Sequence, residues 1–170
     1  MHKRLVPVLI LAACVGLATA GVFSISRAAD NQFGDADATP APFNPQMSAL
    51  MNMLIQPRHA KLGLAGHEEN WALAGYAFQE LKRSFVVISR AVPRYKGLPV
   101  PDLFEAAVGP SLAVLDFAIK AGEPNQFKEA YGRLTQGCNN CHATTENPFI
   151  VIKAPDASNF PNQEFKPAAR

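Results

Sequence analysis

Residues 123–142 read EPNQFKEAYGRLTQGCNNCH. Pro124 suits the first turn of a helix, where a missing N–H costs nothing. No strand-like alternation interrupts the run, so the stretch predicts a helix whose last turn carries Cys138, Cys141 and His142. Outside the first twenty residues these are the only cysteines in the chain. A C-x-x-C-H group at the end of a helix could hold a metal, close a disulfide, do thiol chemistry or carry a haem, and the rest of the sequence has to choose.

Working back from this stretch, three more helical runs appear. Met51, Ile55, His59 and Leu62 share one face of a 3.6-residue period, with a kink or late start expected at Pro57. The second run, NWALAGYAFQELKRSFVVISRA, takes Asn70 as N-cap, aligns Leu73, Phe78, Leu81, Phe85 and Ile88, and stops before Pro93. After the connection RYKGLPVP, the third run, DLFEAAVGPSLAVLDFAIKAG, is apolar enough to be buried, with a break expected at Gly109-Pro110. The joints AGHEENWALAGY and AGEPNQFKEAY share a pattern. Each ends a helix at Ala-Gly, turns, and then places an aromatic (Trp71 or Phe127) ahead of a tyrosine (Tyr76 or Tyr131). Two helical hairpins of one design predict an all-α fold, an antiparallel four-helix bundle with the C-x-x-C-H motif near its C-terminal end and an irregular tail behind it.

The chain is 170 residues long, room for one compact domain, and 48% of it is hydrophobic. Residues 1–29 have a basic start, an apolar run and small residues before Asp30, the build of a signal peptide, with a membrane anchor as the competing reading. LAAC, ending at Cys14, resembles a lipoprotein cleavage box. All three readings expect the domain outside the cytoplasm, in the periplasm or otherwise exported. Residues 30–46 read as a flexible linker, 47–145 as the helical-bundle haem domain and 146–170 as an extended C-terminal tail. Three of the 16 basic residues (Lys3, Arg4 and Arg27) lie in the leader, which leaves 13 against 14 acidic ones. No basic cluster remains to suggest nucleic acid or an anionic membrane surface, so a membrane enters only through an uncleaved leader.

Thiol–disulfide chemistry wants its reactive cysteine at a helix N-terminus, and here the pair sits at the negative end of the macrodipole. Structural zinc needs four ligands, and His59 and His67 follow no finger spacing. A plain disulfide between the two cysteines is the blandest alternative. The haem reading explains more. Two thiols three apart match the two vinyl groups of one haem, and the next histidine falls under the iron. Such attachment is completed outside the cytoplasm in bacteria, in agreement with the leader. One covalent haem c is therefore expected, with Cys138 and Cys141 as thioethers and His142 as proximal iron ligand.

One C-x-x-C-H at the end of the last helix of an exported bundle resembles the cytochromes c′, or class II cytochromes c, over roughly Met47 to His142. The resemblance implies a five-coordinate or weakly six-coordinate haem, single-electron transfer and, in many members, binding of nitric oxide or carbon monoxide. The family usually has a basic residue one turn after the haem histidine, where this chain has Glu146, and it ends soon after the motif, whereas this chain continues to Arg170.

For the sixth ligand, His142 lies roughly 22 Å below the turn at Phe127 at 1.5 Å per residue. The same descent along the first helix reaches Met51, with Met47 and Met53 close by. His59 stands higher but is the better ligand chemically. By the resemblance, RHAKL would instead supply Arg58 and Leu62 as a distal pocket that leaves the iron open. Trp71 and the phenylalanines read as core, and Glu68 and Glu69 as turn residues beside His67. No nucleophile or acid–base pair points to an enzyme. The expected function is electron transfer by an exported monohaem cytochrome. The alternative is a gas-binding or sensing haem protein with an open sixth site. Redox proteins are the expected partners, with small gas ligands and a second copy of the chain as further candidates. The segment NPFIVIKAP is expected to lie across the haem edge or cover one opening of the bundle.

Overall fold

Proline, asparagine and glycine mark the limits of the long helices. The computed structural model describes residues 44–169 and is mostly helical. The expected leader, the linker up to residue 43 and Arg170 lie outside the described residues.

Helix α1, residues 47–67, is composite. An α-helical turn Met47–Leu50 leads into a π-helical turn Met51–Ile55 and then an α-helix Gln56–His67. Pro57 causes this, because it lacks an N–H and its ring crowds the carbonyl four residues back, that of Met53. The chain widens ahead of it, so that the Gln56 N–H donates to the Met51 carbonyl, five residues back. The Arg58 guanidinium then donates to the Met53 carbonyl at 3.4 Å and the Leu54 carbonyl at 3.0 Å. The disturbance expected at Pro57 is thus absorbed as a π turn.

Helix α2 spans Trp71–Ala91, and the Asn70 side chain caps it by accepting from the Leu73 N–H at 3.2 Å. A small antiparallel hairpin follows, β1 (Arg94–Tyr95) and β2 (Leu98–Pro99), where the sequence suggested only a connection. Its turn has positive φ at both Lys96 (49°) and Gly97 (81°), the mirror-image form that matches strand twist. Helix α3, Val100–Ala121, runs unbroken through Gly109-Pro110, against the expected break. An internal proline costs about 3 kcal/mol. The buried residues on either side of it, Val100, Phe104 and Val108 before and Leu115, Ala118 and Ile119 after, keep the helix continuous. Helix α4 spans Pro124–Thr144 with its proline in the first turn, as the sequence predicts.

The two similar joints differ in detail. Gly122 takes the left-handed place after α3 (φ 68°). After α1 that place belongs to Glu69 (φ 55°), and Gly66 is still helical. Gly66 is small for another reason, since a Cβ there would lie 2.0 Å from the Phe127 ring. Tyr131 is buried, but its counterpart Tyr76 is exposed.

α1 packs on α2, α2 on α3 and α3 on α4, while α1 also meets α4. The shared core holds Leu62, Phe78, Leu81, Ile88, Leu115 and Leu134, each essentially without solvent contact. Full burial of such a side chain contributes about 1.5–3 kcal/mol. Phe85 and Phe104 meet edge to face, 4.9 Å between centroids. Residues 146–169 form no helix or strand, FIVIKAP included. They nevertheless lie on the helices. Phe165 is buried, and the Asn70 amide donates to the carbonyls of Phe165 and Lys166, both at 3.1 Å. Among the described residues no helix is long and apolar enough to cross a membrane.

The closest backbone approach falls next to the cysteine motif. A Cβ on Gly137 would stand 2.0 Å from the carbonyl oxygen of Ala107, a backbone atom that cannot swing aside. Gly137→Ala is therefore expected to cost about 3 kcal/mol, the upper end of overpacking effects. A denaturation midpoint measured against Gly132→Ala, whose Cβ would meet nothing within 4 Å, checks this.

Candidate functional site

One face of α4 builds the site. Phe127, Tyr131, Thr135, Cys138 and His142 follow one another at steps of four, four, three and four, close to the helical period. The first three are buried and the last two half-buried. Below Thr135 this face opens on a cavity of about 170 Å³, lined by Cys138, Cys141 and His142 together with residues of every other helix. Helix α1 contributes Met47, Met51, Ile55 and His59, α2 contributes Phe85, and α3 contributes Val100, Phe104 and Val108. Tyr95 of the hairpin and Ile150 and Ile152 of the tail join the wall, which also carries the polar Ser48, Asn52, Gln56, Thr145 and Asn147. No Asp, Glu, Lys or Arg lines it.

The two cysteines are free thiols. Burial pushes the Cys138 thiol up to about 12, with the neighbouring Cys141 as a second cause. Burial also raises Cys141. Neither is poised as a thiolate nucleophile near neutral pH. Among the described residues no three His, Cys, Asp or Glu side chains gather as a metal-holding group, so a closed four-ligand zinc site has no donor set here.

His142 has a fixed orientation. Its Nδ1 lies 2.8 Å from the carbonyl oxygen of Ile150, which can only accept, so Nδ1 is the donor and Nε2 is the nitrogen that carries the lone pair of the neutral ring. The tail thus does approach the motif, through a backbone carbonyl as well as through the side chains of Ile150 and Ile152.

The candidates for the other side of the cavity separate clearly. Met51 is half-buried and lines the cavity, as does Met47, while Met53 is 68% exposed and does not. His59 also lines it, but both its nitrogens are engaged. Nε2 lies 2.9 Å from Thr135 Oγ1 and Nδ1 lies 3.0 Å from the Tyr131 hydroxyl. Its ring stacks on Tyr131 at 4.7 Å. The Thr135 anchor stands seven residues above His142, about 10 Å along the helix. Arg58 and Leu62 do not line the cavity. Arg58 is turned to the carbonyls around Pro57, and Leu62 is sealed in the core. His67 is exposed at the end of α1.

Sequence reasoning missed Tyr131 and Thr135 as partners of His59, although their spacing from Cys138 on the α4 face was available. It also missed Asn139 and the Ile150 carbonyl as supports of the motif. A backbone carbonyl leaves no trace in residue identity. Comparison with family models, characterised proteins and solved structures finds no match to this chain.

Burial depresses the His59 pKa from 6.5 to about 4. The unfolded chain therefore takes up this proton at a higher pH than the folded one, and between those values the unfolded state binds more protons. Stability should fall as pH drops from about 6.5 to about 4, by roughly 3 kcal/mol at most from this group. Tyr131→Phe should cost a further 1–3 kcal/mol or so at neutral pH, because His59 Nδ1 and the His59 carbonyl (2.8 Å from the hydroxyl) lose their partner. Urea titrations of the wild type and of His59→Leu between pH 4 and 7 check the slope, which the substitution should flatten.

Proposed function

We propose that this chain is an exported monohaem c-type cytochrome of the c′ kind that passes single electrons between redox proteins. One observation carries the reading. Two thiols and an imidazole with a free Nε2 line the same uncharged cavity from one helix end. That donor set suits a haem better than it suits zinc or thiol exchange. The antiparallel four-helix bundle belongs to this proposal. It is supported by the short joints at residues 68–70 and 122–123 and by the contact of α1 with both α2 and α4.

Bound haem would supply a one-electron iron couple. Cys138 and Cys141 would anchor it covalently and His142 would offer Nε2 as the proximal ligand. The apolar side chains of Ile55, Phe85, Phe104 and Val108 on the wall would lower the local dielectric on their side, which bears on the potential of any redox centre held there. His59, held by Tyr131 and Thr135, braces α1 against α4 above the cavity.

A second reading is gas binding at an open sixth position. It is favoured by the engagement of both His59 nitrogens, which leaves Met51 and Met47, of the donors expected from the sequence, among the lining residues. A thioether is neutral and weakly held, so a small ligand could displace it.

The test is the full chain matured with haem-attachment machinery. Haem should remain with the polypeptide through acid–acetone extraction, and the mass should exceed the bare chain by one haem. The double variant Cys138→Ala/Cys141→Ala should release the haem completely. Colourless wild-type protein with the bare mass sinks the reading. Reduced spectra with and without carbon monoxide separate its two branches. An unchanged low-spin spectrum selects electron transfer alone, and a new carbonyl band selects an open or displaceable site. In the first case Met51→Ala should convert the spectrum to a high-spin one.

A further inference from the structure

The segment behind the motif has a defined path that simple attachment of a haem does not require. Helix α4 stops with Glu146 in the left-handed conformation (φ 60°). The Asn147 N–H then donates to the His142 carbonyl at 2.7 Å, closing the helix end. Pro148 favours a tight turn, and the Ile150 N–H bonds back to the Asn147 carbonyl at 3.0 Å. This brings the Ile150 carbonyl to His142 Nδ1 at 2.8 Å.

Two residues on, Asn139 holds the chain at both polar groups of one peptide residue. Its Nδ2 donates to the Ile152 carbonyl at 2.9 Å, and its Oδ1 accepts from the Ile152 N–H at 2.7 Å. The side-chain amide here does what a neighbouring strand would do. The segment alternates accordingly without any strand partner. Ile150 and Ile152 line the cavity, while Phe149 and Val151 are 78% and 72% exposed. Exposed ion pairing of Glu146 with Lys96 at 2.9 Å adds little to this arrangement.

We propose that residues 146–155 form a strap that positions His142, and that Asn139, the first variable residue of C-x-x-C, is the positioning residue that docks it. The inference rests on the haem reading and deepens it. A carbonyl held at Nδ1 fixes the imidazole tautomer and plane and makes Nε2 a stronger electron donor, as partners beyond the ligand shell do at metal sites generally. Without the Asn139 clamp, the hydrogen bonds that set the path of Ile150 reduce to those of the turn at Asn147-Pro148. The strap contributes two things at once, an orienting acceptor and the apolar side chains that close this side of the cavity.

The experiment compares haem-loaded full-length wild type with Asn139→Ala, and with Asn140→Ala as the control. Asn140 is the other variable residue of the motif, and its amide meets only the exposed Gln136 side chain, at 2.8 Å. Three quantities are read: hydrogen exchange at the Ile152 amide, the iron–imidazole stretching frequency, and the midpoint potential. Asn139→Ala should speed Ile152 exchange at least tenfold, lower the stretching frequency and raise the potential, while Asn140→Ala leaves all three unchanged. Asn139→Ser, which is uncharged and too short to clamp both groups of Ile152, should give shifts of the same sign; it also serves if the alanine variant does not mature. Faster exchange with an unchanged stretch and potential overturns the positioning role, and so does no change at all. Wild-type chain without covalent haem overturns the functional reading itself, which is a separate outcome from an intact haem that does not respond to Asn139.

Discussion

Everything in the described fold depends on one stripe of α4 doing two jobs. Upper positions of the stripe (Phe127, Tyr131, Leu134) are buried against the other helices, and lower positions (Cys138, Cys141, His142) line the cavity. Because a helix advances about 1.5 Å per residue and turns about 100°, packing of the upper part leaves no freedom in where the lower part points. The close contact at Gly137 against the Ala107 backbone fixes the level of the motif relative to α3. The hydrogen bonds that link His59 with Tyr131 and Thr135 fix it relative to α1. A one-residue slip of α3 would break the first of these contacts, and a slip of α1 the second.

The buried polar groups follow the same logic. Every buried side-chain nitrogen and oxygen among the described residues has a partner. His59, Tyr131 and Thr135 hydrogen-bond to one another and to two backbone carbonyls, three protons being shared among four contacts when the ring is neutral, and the cluster specifies one register of α1 against α4. Burial keeps His59 neutral and the Tyr131 hydroxyl protonated well above its usual range. The cluster is therefore uncharged beside an uncharged cavity, which suits a site whose proposed task is to hold a porphyrin and tune it by its apolar surroundings.

Proline and helix-end chemistry explain the departures from simple reading. Pro57 and Pro110 carry the same local penalty, but one widens its helix and the other does not. At Pro57 the Arg58 guanidinium is at hand to satisfy freed carbonyls, and a π turn results. At Pro110 long apolar flanks hold the helix to its neighbours on both sides of the lesion. Gly66 looked like a helix end and is a packing notch for Phe127, because residue identity does not distinguish a need for positive φ from a need for small size.

The sequence by itself determined the four helical runs, the cap at Asn70, the start at Pro124 and the placing of two thiols and an imidazole on the last turn. These follow from short-range rules, namely period, caps and proline sterics, which act within a few residues. For the facing side it offered an open site beside Arg58 and Leu62, or a donor from Met51 and His59. Only the tertiary structure decided between the surroundings of those two, by engaging both His59 nitrogens and leaving Met51 against the cavity. Only the tertiary structure, likewise, brought the Ile150 carbonyl to His142 and the Asn139 amide to Ile152. Contacts of this kind use backbone groups that every residue carries, so they are set by where the chain runs and leave no mark in which amino acids it contains.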